Sequence, residues 1–260
     1  MNIRQLIFTT LSIAAISSLA LTQSSNSKTY VLVHGSWQGK YVWGETKTLL
    51  EKTGNTVITL DLPAHGDDQT PVDQVSLESY TKAVVKAIGT RRNVVLVGHS
   101  FGGIVISTVG EAIPYRISKL IYVAGYLPRN GESLFALSQE DQFSKVFQYF
   151  VQTGPTVDIK PEGRIDVFCN DCTAFWKTTL LQKHRPEPFA PAATPVKLTP
   201  KRFGKIPRYY VETLQDNAVS HQLQKLMISR SPVVSSIQLN TSHSPFLTQP
   251  QALTDAITGF

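Results

Sequence analysis

The chemically most informative residue of the chain is Ser100, at the centre of Gly-His-Ser-Phe-Gly (residues 98–102). The preceding residues 94–97, Val-Val-Leu-Val, predict a strand, and the residues that follow are compatible with a helix. A sharp turn from strand to helix holds such a serine in a strained conformation with its hydroxyl exposed. Gly98 and Gly102 carry no Cβ atom where the strand and the helix pack closely. This pattern predicts that Ser100 is a nucleophile.

A serine hydroxyl becomes a good nucleophile when a base takes its proton and an acid orients that base. Asp216 and His243 each follow a predicted strand, at residues 208–213 and 235–239, and both come after Ser100. Catalytic groups in open parallel sheets collect at the carboxyl ends of the strands. We therefore predict a triad of Ser100, His243 and Asp216.

Two other side chains compete for the roles of base and acid. His221 is the alternative base, although it lies on a predicted amphipathic helix and is expected to face solvent. Glu212 is the alternative acid, although it lies within a predicted strand and is expected to point along it. The order serine, acid, histidine at strand ends favours Asp216 and His243.

The negative oxygen of a reaction intermediate needs two backbone N–H donors. Phe101 follows the serine at the start of a predicted helix, so its N–H is one candidate donor. The loop after the first predicted strand has the sequence His34-Gly35-Ser36-Trp37, and the N–H of Ser36 is the second candidate. Gly35 permits a backbone turn that a Cβ atom would obstruct.

Predicted strands and helices alternate along the chain, which indicates an α/β fold with a mainly parallel six-stranded sheet flanked by helices. The strands are predicted at residues 29–33, 56–60, 93–98, 119–124, 208–213 and 235–239. The helices are predicted at about residues 43–53, 76–89, 101–111, 219–229 and 249–258.

A long segment, residues 126–205, interrupts the alternation after the fourth strand. Segments of this length usually have a function, and lids over active sites are the usual explanation. We predict that it is a helical cap between two parts of the core, residues 29–125 and 206–260. Aromatic side chains are expected to line an apolar pocket over Ser100, namely Trp37, Phe147, Phe150, Phe175 and Trp176.

The first residues have the features of a targeting segment. Arg4 precedes an uncharged, largely apolar stretch that ends in small residues, which predicts a signal peptide over residues 1–20. Residues 21–28 form a polar tether before the first strand. The protein is therefore expected to be exported, to the periplasm or the medium, without a stable membrane span in its mature form. The alternative is an N-terminal segment that remains as a membrane anchor.

Cys169 and Cys172 are the two cysteines of the chain. A zinc site would need further ligands at matching spacing, and the sequence has no second pair. In an oxidising compartment the two cysteines are expected either to form a local disulfide in the cap or to stay reduced. Neither a metal nor an organic cofactor is implied.

The chain has 260 residues and a formal net charge of +6 at pH 7. That length suits one sizeable α/β domain. No nucleic-acid-binding motif accompanies the basic balance, so we expect no nucleic-acid partner. The composition does not determine the oligomeric state.

Four segments occur in an order and at a spacing that resemble α/β-hydrolases: residues 34–37, 61–66, 98–103 and 242–246. Over roughly residues 29–258, the chain is similar to the branch that contains plant methyl-ester esterases, hydroxynitrile lyases and their bacterial relatives. The resemblance implies an α/β-hydrolase fold and hydrolysis of a small-molecule ester.

Hydroxynitrile lyases of this branch resemble one another at two positions where this chain differs. They have threonine after the first loop histidine and lysine after the catalytic histidine, whereas this chain has Gly35 and Ser244. The resemblance therefore favours a serine carboxylesterase for small, apolar, methyl or aryl esters. A hydroxynitrile-lyase-like carbon–carbon lyase and a ligand-binding protein on the same scaffold are the alternatives.

Overall fold

The computed structural model of the protein describes residues 27–260. The predicted signal peptide, residues 1–20, and most of the predicted tether, residues 21–28, lie outside the described residues. Across residues 27–260 no helix combines the length and the apolar character that a membrane crossing requires.

The strands of the described residues form two sheets. A six-stranded sheet has the order β2-β1-β3-β4-β8-β9 with every neighbouring pair parallel, and a three-stranded antiparallel sheet has the order β5-β6-β7. The strands are β1 (Thr29–Val33), β2 (Thr56–Thr59), β3 (Val94–His99), β4 (Ile117–Val123), β5 (Phe150–Thr153), β6 (Thr156–Ile159), β7 (Glu187–Pro188), β8 (Arg208–Thr213) and β9 (Ser235–Leu239).

The predicted α/β architecture is confirmed, because α-helices follow the strands of the large sheet. The helices are α1 (Gly44–Lys52), α2 (Leu77–Ile88), α3 (Gly102–Ala112), α4 (Leu134–Ser138), α5 (Val146–Tyr149), α6 (Arg164–Phe168), α7 (Ala174–Lys183), α8 (Phe189–Ala193), α9 (His221–Arg230), α10 (Pro245–Thr248) and α11 (Pro250–Gly259).

Alternation along the central strands divides the core between the two faces of the large sheet. Leu96 of β3 belongs to the cluster that contains α2 and α3 residues, and its neighbour Val97 belongs to the cluster that contains α1 and α11 residues. All residues of β3 are buried. Burial of a strand on both faces requires the continuous apolar sequence seen at residues 94–97.

The sequence predicted a helical cap over residues 126–205, but in the structure this segment is not wholly helical. It contains α4 to α8, but also the small antiparallel sheet of β5, β6 and β7. Its small core includes Ile159, Val167 and Phe168, which pack against Ala218 on the loop that follows β8. The cap therefore has some internal packing and also contacts the loop that follows β8.

Candidate active site

Ser100 occupies the sharp turn between β3 and α3. Its φ angle is +52°, a left-handed conformation that a residue with a Cβ atom rarely adopts. Its N–H donates to the carbonyl of Val123 at 3.2 Å, and its carbonyl accepts from Gly103 at 2.9 Å and from Tyr126 at 3.0 Å. These backbone bonds to neighbouring elements hold the strained turn in place.

Close packing around the turn leaves no room for a Cβ atom at Gly98 or at Gly35. A Cβ atom at Gly98 would lie 2.5 Å from the carbonyl oxygen of Gly102, which confirms that strand and helix are too close there for a side chain. A Cβ atom at Gly35 would lie 2.7 Å from Cβ of Ser100 and 2.9 Å from Nδ1 of His99. The loop after β1 therefore lies directly against the serine.

His243 and Asp216 are brought together at the carboxyl ends of β9 and β8. Nδ1 of His243 lies 2.8 Å from Oδ2 of Asp216, and both side chains are buried. Because an ionised carboxylate only accepts hydrogen bonds, Nδ1 carries the proton that joins the pair. Nε2 of His243 is then free to accept a proton.

The Asp216 carboxylate is held by several donors besides His243. Oδ1 accepts from the N–H groups of Ala218 and Val219, both at 2.8 Å. Oδ2 accepts from the hydroxyl of Thr213 at 2.7 Å and from Nε2 of Gln224 at 3.3 Å. Gln224 also binds the backbone of the same loop, and sequence reasoning did not identify it. The acid is therefore fixed in one orientation.

Ser100 and His243 are not hydrogen-bonded to each other through their side chains within residues 27–260. Catalytic hydrogen bonds in ligand-free proteins are often long or misaligned and tighten when a substrate binds.

His99 supports the histidine rather than the serine. Its Nε2 lies 2.8 Å from the carbonyl oxygen of His243, which can only accept, so Nε2 is protonated. Its Nδ1 is buried without a hydrogen-bond partner among the described residues. Burial and the neighbouring His243 lower the pKa of His99 well below its ordinary value, so the ring is neutral. His99 therefore anchors the His243 backbone.

The two candidate oxyanion donors, the N–H groups of Ser36 and Phe101, donate to no other group in the part of the chain that the structure describes. His34 holds the first of these loops. Its Nε2 accepts from the N–H of Leu62 at 3.0 Å, so Nδ1 carries the proton and donates to the carbonyl of Gly35 at 2.8 Å. Burial lowers the pKa of His34 to about 4, which keeps this neutral form.

An apolar cavity lies over Ser100, between the core and the cap. Ser36 and Ser100 line it, together with Trp37, Phe147 and Phe150 from the predicted pocket. Further apolar walls come from the cap, including Phe135, Phe168 and Phe189. Its mainly aromatic and aliphatic lining suits a small apolar molecule.

Phe175 and Trp176 do not line this cavity, so their predicted place in the pocket is wrong. Both lie on α7, where Phe175 is 68% exposed. Trp176 packs against the core cluster that contains Cys169 and Leu180. Aromatic composition alone did not show which face of α7 the cavity would meet.

Glu187, which the sequence analysis did not single out, is a buried carboxylate that lines the cavity. Its Oε2 lies 3.1 Å from the N–H of Trp37 and 2.9 Å from Nε2 of His65, and its Oε1 lies 3.4 Å from the Tyr80 hydroxyl. The stretch Arg-Pro-Glu-Pro-Phe has no pattern that predicts a buried acid. Its partners are distant in sequence, so only the fold reveals the contact.

The rival base and acid pair with each other. Nε2 of His221 lies 2.7 Å from Oε2 of Glu212, and neither residue lines the cavity over Ser100. The His221 side chain is 21% exposed, less than the solvent-facing position expected from the helix pattern. The structure therefore brings His243, and not His221, to the predicted acid.

Cys169 and Cys172 are joined through their sulfur atoms. Together with Asp171 they are the one group in residues 27–260 with three potential metal-ligand atoms close together. Sulfur atoms in a disulfide are not thiolates and do not bind zinc in the usual way. The Asp171 carboxylate accepts hydrogen bonds from Thr241 and Ser242. The group therefore does not fit a metal site.

Comparison with known proteins agrees with this architecture. The profile of the Alpha/beta hydrolase family matches residues 30–256. The putative chloroplastic methylesterase 11 of Arabidopsis thaliana is 34% identical over 240 residues. That alignment covers 86% of this chain and 61% of the relative, so the chain spans about three fifths of the longer protein.

Two solved structures share the fold. Polyneuridine aldehyde esterase superposes with a TM-score of 0.81 at 23% identity, covering 90% of this chain and 98% of its own. A pyrethroid hydrolase from Sphingobium faniae JZ-2 superposes with a TM-score of 0.78 at 24% identity, covering 90% and 97%. At these identities the similarity establishes the fold.

Proposed function

Because the chain belongs to the alpha/beta hydrolase family, we propose that it is a serine carboxylesterase with Ser100, His243 and Asp216 as its triad. The observation that carries the proposal is the buried 2.8 Å contact between His243 Nδ1 and Asp216, beside a serine with positive φ. This constellation, not the fold alone, supports the chemistry.

In the proposed reaction Ser100 Oγ attacks the ester carbonyl carbon while Nε2 of His243 takes the hydroxyl proton. The carbonyl oxygen becomes an oxyanion, which the N–H groups of Ser36 and Phe101 stabilise. The intermediate collapses, the bond to the alcohol oxygen breaks, and His243 donates its proton to the departing alcohol. A water molecule, deprotonated by His243, then cleaves the acyl-enzyme and regenerates Ser100.

The cavity supports small, apolar esters as substrates, including methyl or aryl esters. Its walls are mainly aromatic and aliphatic, and Glu187 is the acidic side chain among its lining residues. The names of relatives agree with this class, because methylesterase and esterase both describe ester hydrolysis.

The alternative of a carbon–carbon lyase is opposed by the space around Ser100. Lyases of this branch resemble one another in having a threonine at the position of Gly35. In this chain even a Cβ atom at that position would lie 2.7 Å from Cβ of Ser100. Position 244 is a buried serine rather than a lysine, so no cation follows His243. A binding protein without turnover has no specific observation in its favour.

Export through a signal peptide at residues 1–20, with membrane anchorage as the alternative, remains a proposal from the sequence. Mass spectrometry of the mature protein tests it. An N-terminus after residue 20 is the expected result, and an intact Met1 in the membrane fraction contradicts cleavage.

Turnover of 4-nitrophenyl acetate by the wild type and by Ser100→Ala tests the proposed reaction. We expect Ser100→Ala to lower kcat by at least about 10³-fold, because the covalent route is removed. Ser229→Ala, an exposed serine on α9, is the matched control and should retain wild-type kcat. Activity of Ser100→Ala close to that of the control would show that Ser100 is not the nucleophile. Release of cyanide from mandelonitrile above background would favour the lyase.

A further inference from the structure

Trp37, the residue after the candidate oxyanion donor Ser36, is held by the cap through four contacts. Its N–H donates to Glu187 Oε2 at 3.1 Å, and its indole N–H donates to the carbonyl of Val157 at 3.1 Å. Its carbonyl accepts from the N–H of Arg185 at 3.4 Å, and its ring lies 5.2 Å from that of Phe168. All four partners belong to residues 126–205, so the cap fixes this loop of the core.

Trp37 needs such support because its backbone is strained. Its φ angle is +60°, and a bulky residue in this region is a genuine outlier. Strain of this kind costs free energy and persists when surrounding contacts hold it. Released from the cap, Trp37 would relax towards negative φ and the peptide between Ser36 and Trp37 would turn. The Ser36 N–H belongs to the preceding peptide and would shift with it.

Glu187 is the strongest of these contacts because it acts as a charged acceptor. Its side chain is 1% exposed and lies 2.9 Å from Nε2 of His65. Nδ1 of His65 lies 3.0 Å from the carbonyl oxygen of Pro63, so both ring nitrogens of His65 face acceptors. That arrangement suits a protonated His65 beside an ionised Glu187. Hydrogen bonds to an ionised acceptor are roughly twice as strong as neutral ones.

The small sheet of the cap aligns these contacts. Val157 of β6 and Glu187 of β7 are direct register partners, and they accept from the two N–H groups of Trp37. We propose that Glu187 is a positioning residue, which acts from the cap through Trp37 to keep the Ser36 N–H aimed at the oxyanion. The proposal rests on the esterase function above and assigns the cap a role in catalysis besides forming the cavity.

This role predicts an effect on the transition state rather than on substrate binding. An oxyanion donor binds the charged oxygen of the intermediate more strongly than the carbonyl of the substrate, so its displacement lowers kcat. Complete removal of one donor typically costs about 10²–10³ in kcat. A displaced donor should cost somewhat less, so we expect Glu187→Ala to lower kcat by about 10–100-fold with KM nearly unchanged.

The test compares Glu187→Ala and Glu187→Gln with the wild type on 4-nitrophenyl acetate. The amide oxygen of Gln can still accept from Trp37, so Glu187→Gln should lose no more than about threefold in kcat. Glu162→Gln, an exposed cap carboxylate, is the matched control and should behave as the wild type. A trifluoromethyl ketone, which forms an oxyanion on the serine, should bind to Glu187→Ala more weakly by the factor lost in kcat/KM.

Circular dichroism establishes that each variant is folded. If Glu187→Ala does not fold because His65 is left as an uncompensated buried charge, the double variant Glu187→Ala/His65→Ala replaces it. A fall in kcat below about threefold in the folded variant, or a change confined to KM, contradicts the positioning role.

Fluorophosphonate labelling of the wild type separates the two proposals. If the wild type is labelled but Glu187→Ala shows no fall in kcat, this inference alone is overturned. If the wild type is not labelled, the esterase proposal is overturned as well.

Discussion

The residues packed around Ser100 leave no space for larger side chains, and this explains why glycine stands next to it. Gly35 faces Ser100 and His99 across a gap that a methyl group would close. The loop after β1 and the turn after β3 are thus packed as one unit. A change at either position is expected to move Ser100 relative to the N–H of Ser36.

Gly35→Ala tests this packing. The added Cβ atom would lie 2.7 Å from Ser100 Cβ and 2.9 Å from His99 Nδ1, so one of the loops must shift. We expect a loss of about 1–3 kcal/mol in the free energy of unfolding, as is usual for overpacking, and a marked fall in kcat. Gly44→Ala is the control, because nothing lies within 4 Å of its added Cβ. Urea denaturation and ester turnover measure both effects. Equal free energies of unfolding and equal kcat values for Gly35→Ala and Gly44→Ala would contradict the packing argument.

Individual site residues differ in how well the sequence predicts them. Ser100 has a local pattern, and Asp216 and His243 have positions at strand ends, so sequence reasoning named all three. Glu187 and Gln224 have neither, because their importance comes from partners far along the chain. Their roles depend on tertiary contacts that no short pattern encodes.

The strands of the large sheet were predictable because their sequences are apolar and are separated by helices. β1, β8 and β9 have the predicted bounds, and the other three strands differ by at most two residues at either end. The cap was less predictable. β7 consists of two residues, Glu187 and Pro188, and β5 and β6 have four each, so their periodicity is too short to detect.

The junction between β7 and the core gives the protein a pH-dependent contact. Burial disfavours the charge on His65, but the Glu187 carboxylate and the carbonyl of Pro63 together raise the pKa of His65 above its ordinary value. The charged or titratable groups around it are Glu187, Tyr80, His34 and Arg185. Because the folded pKa is raised, the contribution to stability is complete below about pH 6.5 and is lost as the pH rises through the folded value.

Melting temperatures of the wild type and Glu187→Gln measure this dependence between about pH 6 and pH 9. The wild type should be more stable at the acidic end, and its advantage should shrink as His65 loses its proton. The difference in melting temperature between the wild type and Glu162→Gln should stay constant over the same pH range. An advantage over Glu187→Gln that is constant or grows with pH would contradict a raised pKa for His65.

At the scale of the whole molecule, the cavity is built by two parts of the chain with different tasks. The core supplies Ser100 and the loop that carries Ser36, and the cap supplies most of the aromatic wall and Glu187. Although the net charge of the protein is +6, the interior of the cavity is apolar and contains a buried carboxylate. Substrate choice should therefore follow the cavity and not the overall charge.

Two esters of nearly equal shape test this distinction, methyl 4-methylbenzoate and monomethyl terephthalate. The second carries a carboxylate at neutral pH, which would be buried near Glu187 at a large cost in free energy. We expect kcat/KM for the neutral ester to exceed that for the anionic ester by at least about tenfold, since 1.4 kcal/mol is sufficient for that factor. A preference for the anionic ester would show that the net positive charge determines selection.

The most direct test of the central claim is intact-protein mass spectrometry after exposure to a fluorophosphonate, with wild type and Ser100→Ala in parallel. The arrangement of Ser100, His243 and Asp216 predicts one adduct on the wild type, mapped to Ser100, and none on the variant. An unmodified wild-type protein, shown to be folded, would contradict the account, because the serine would then not be activated.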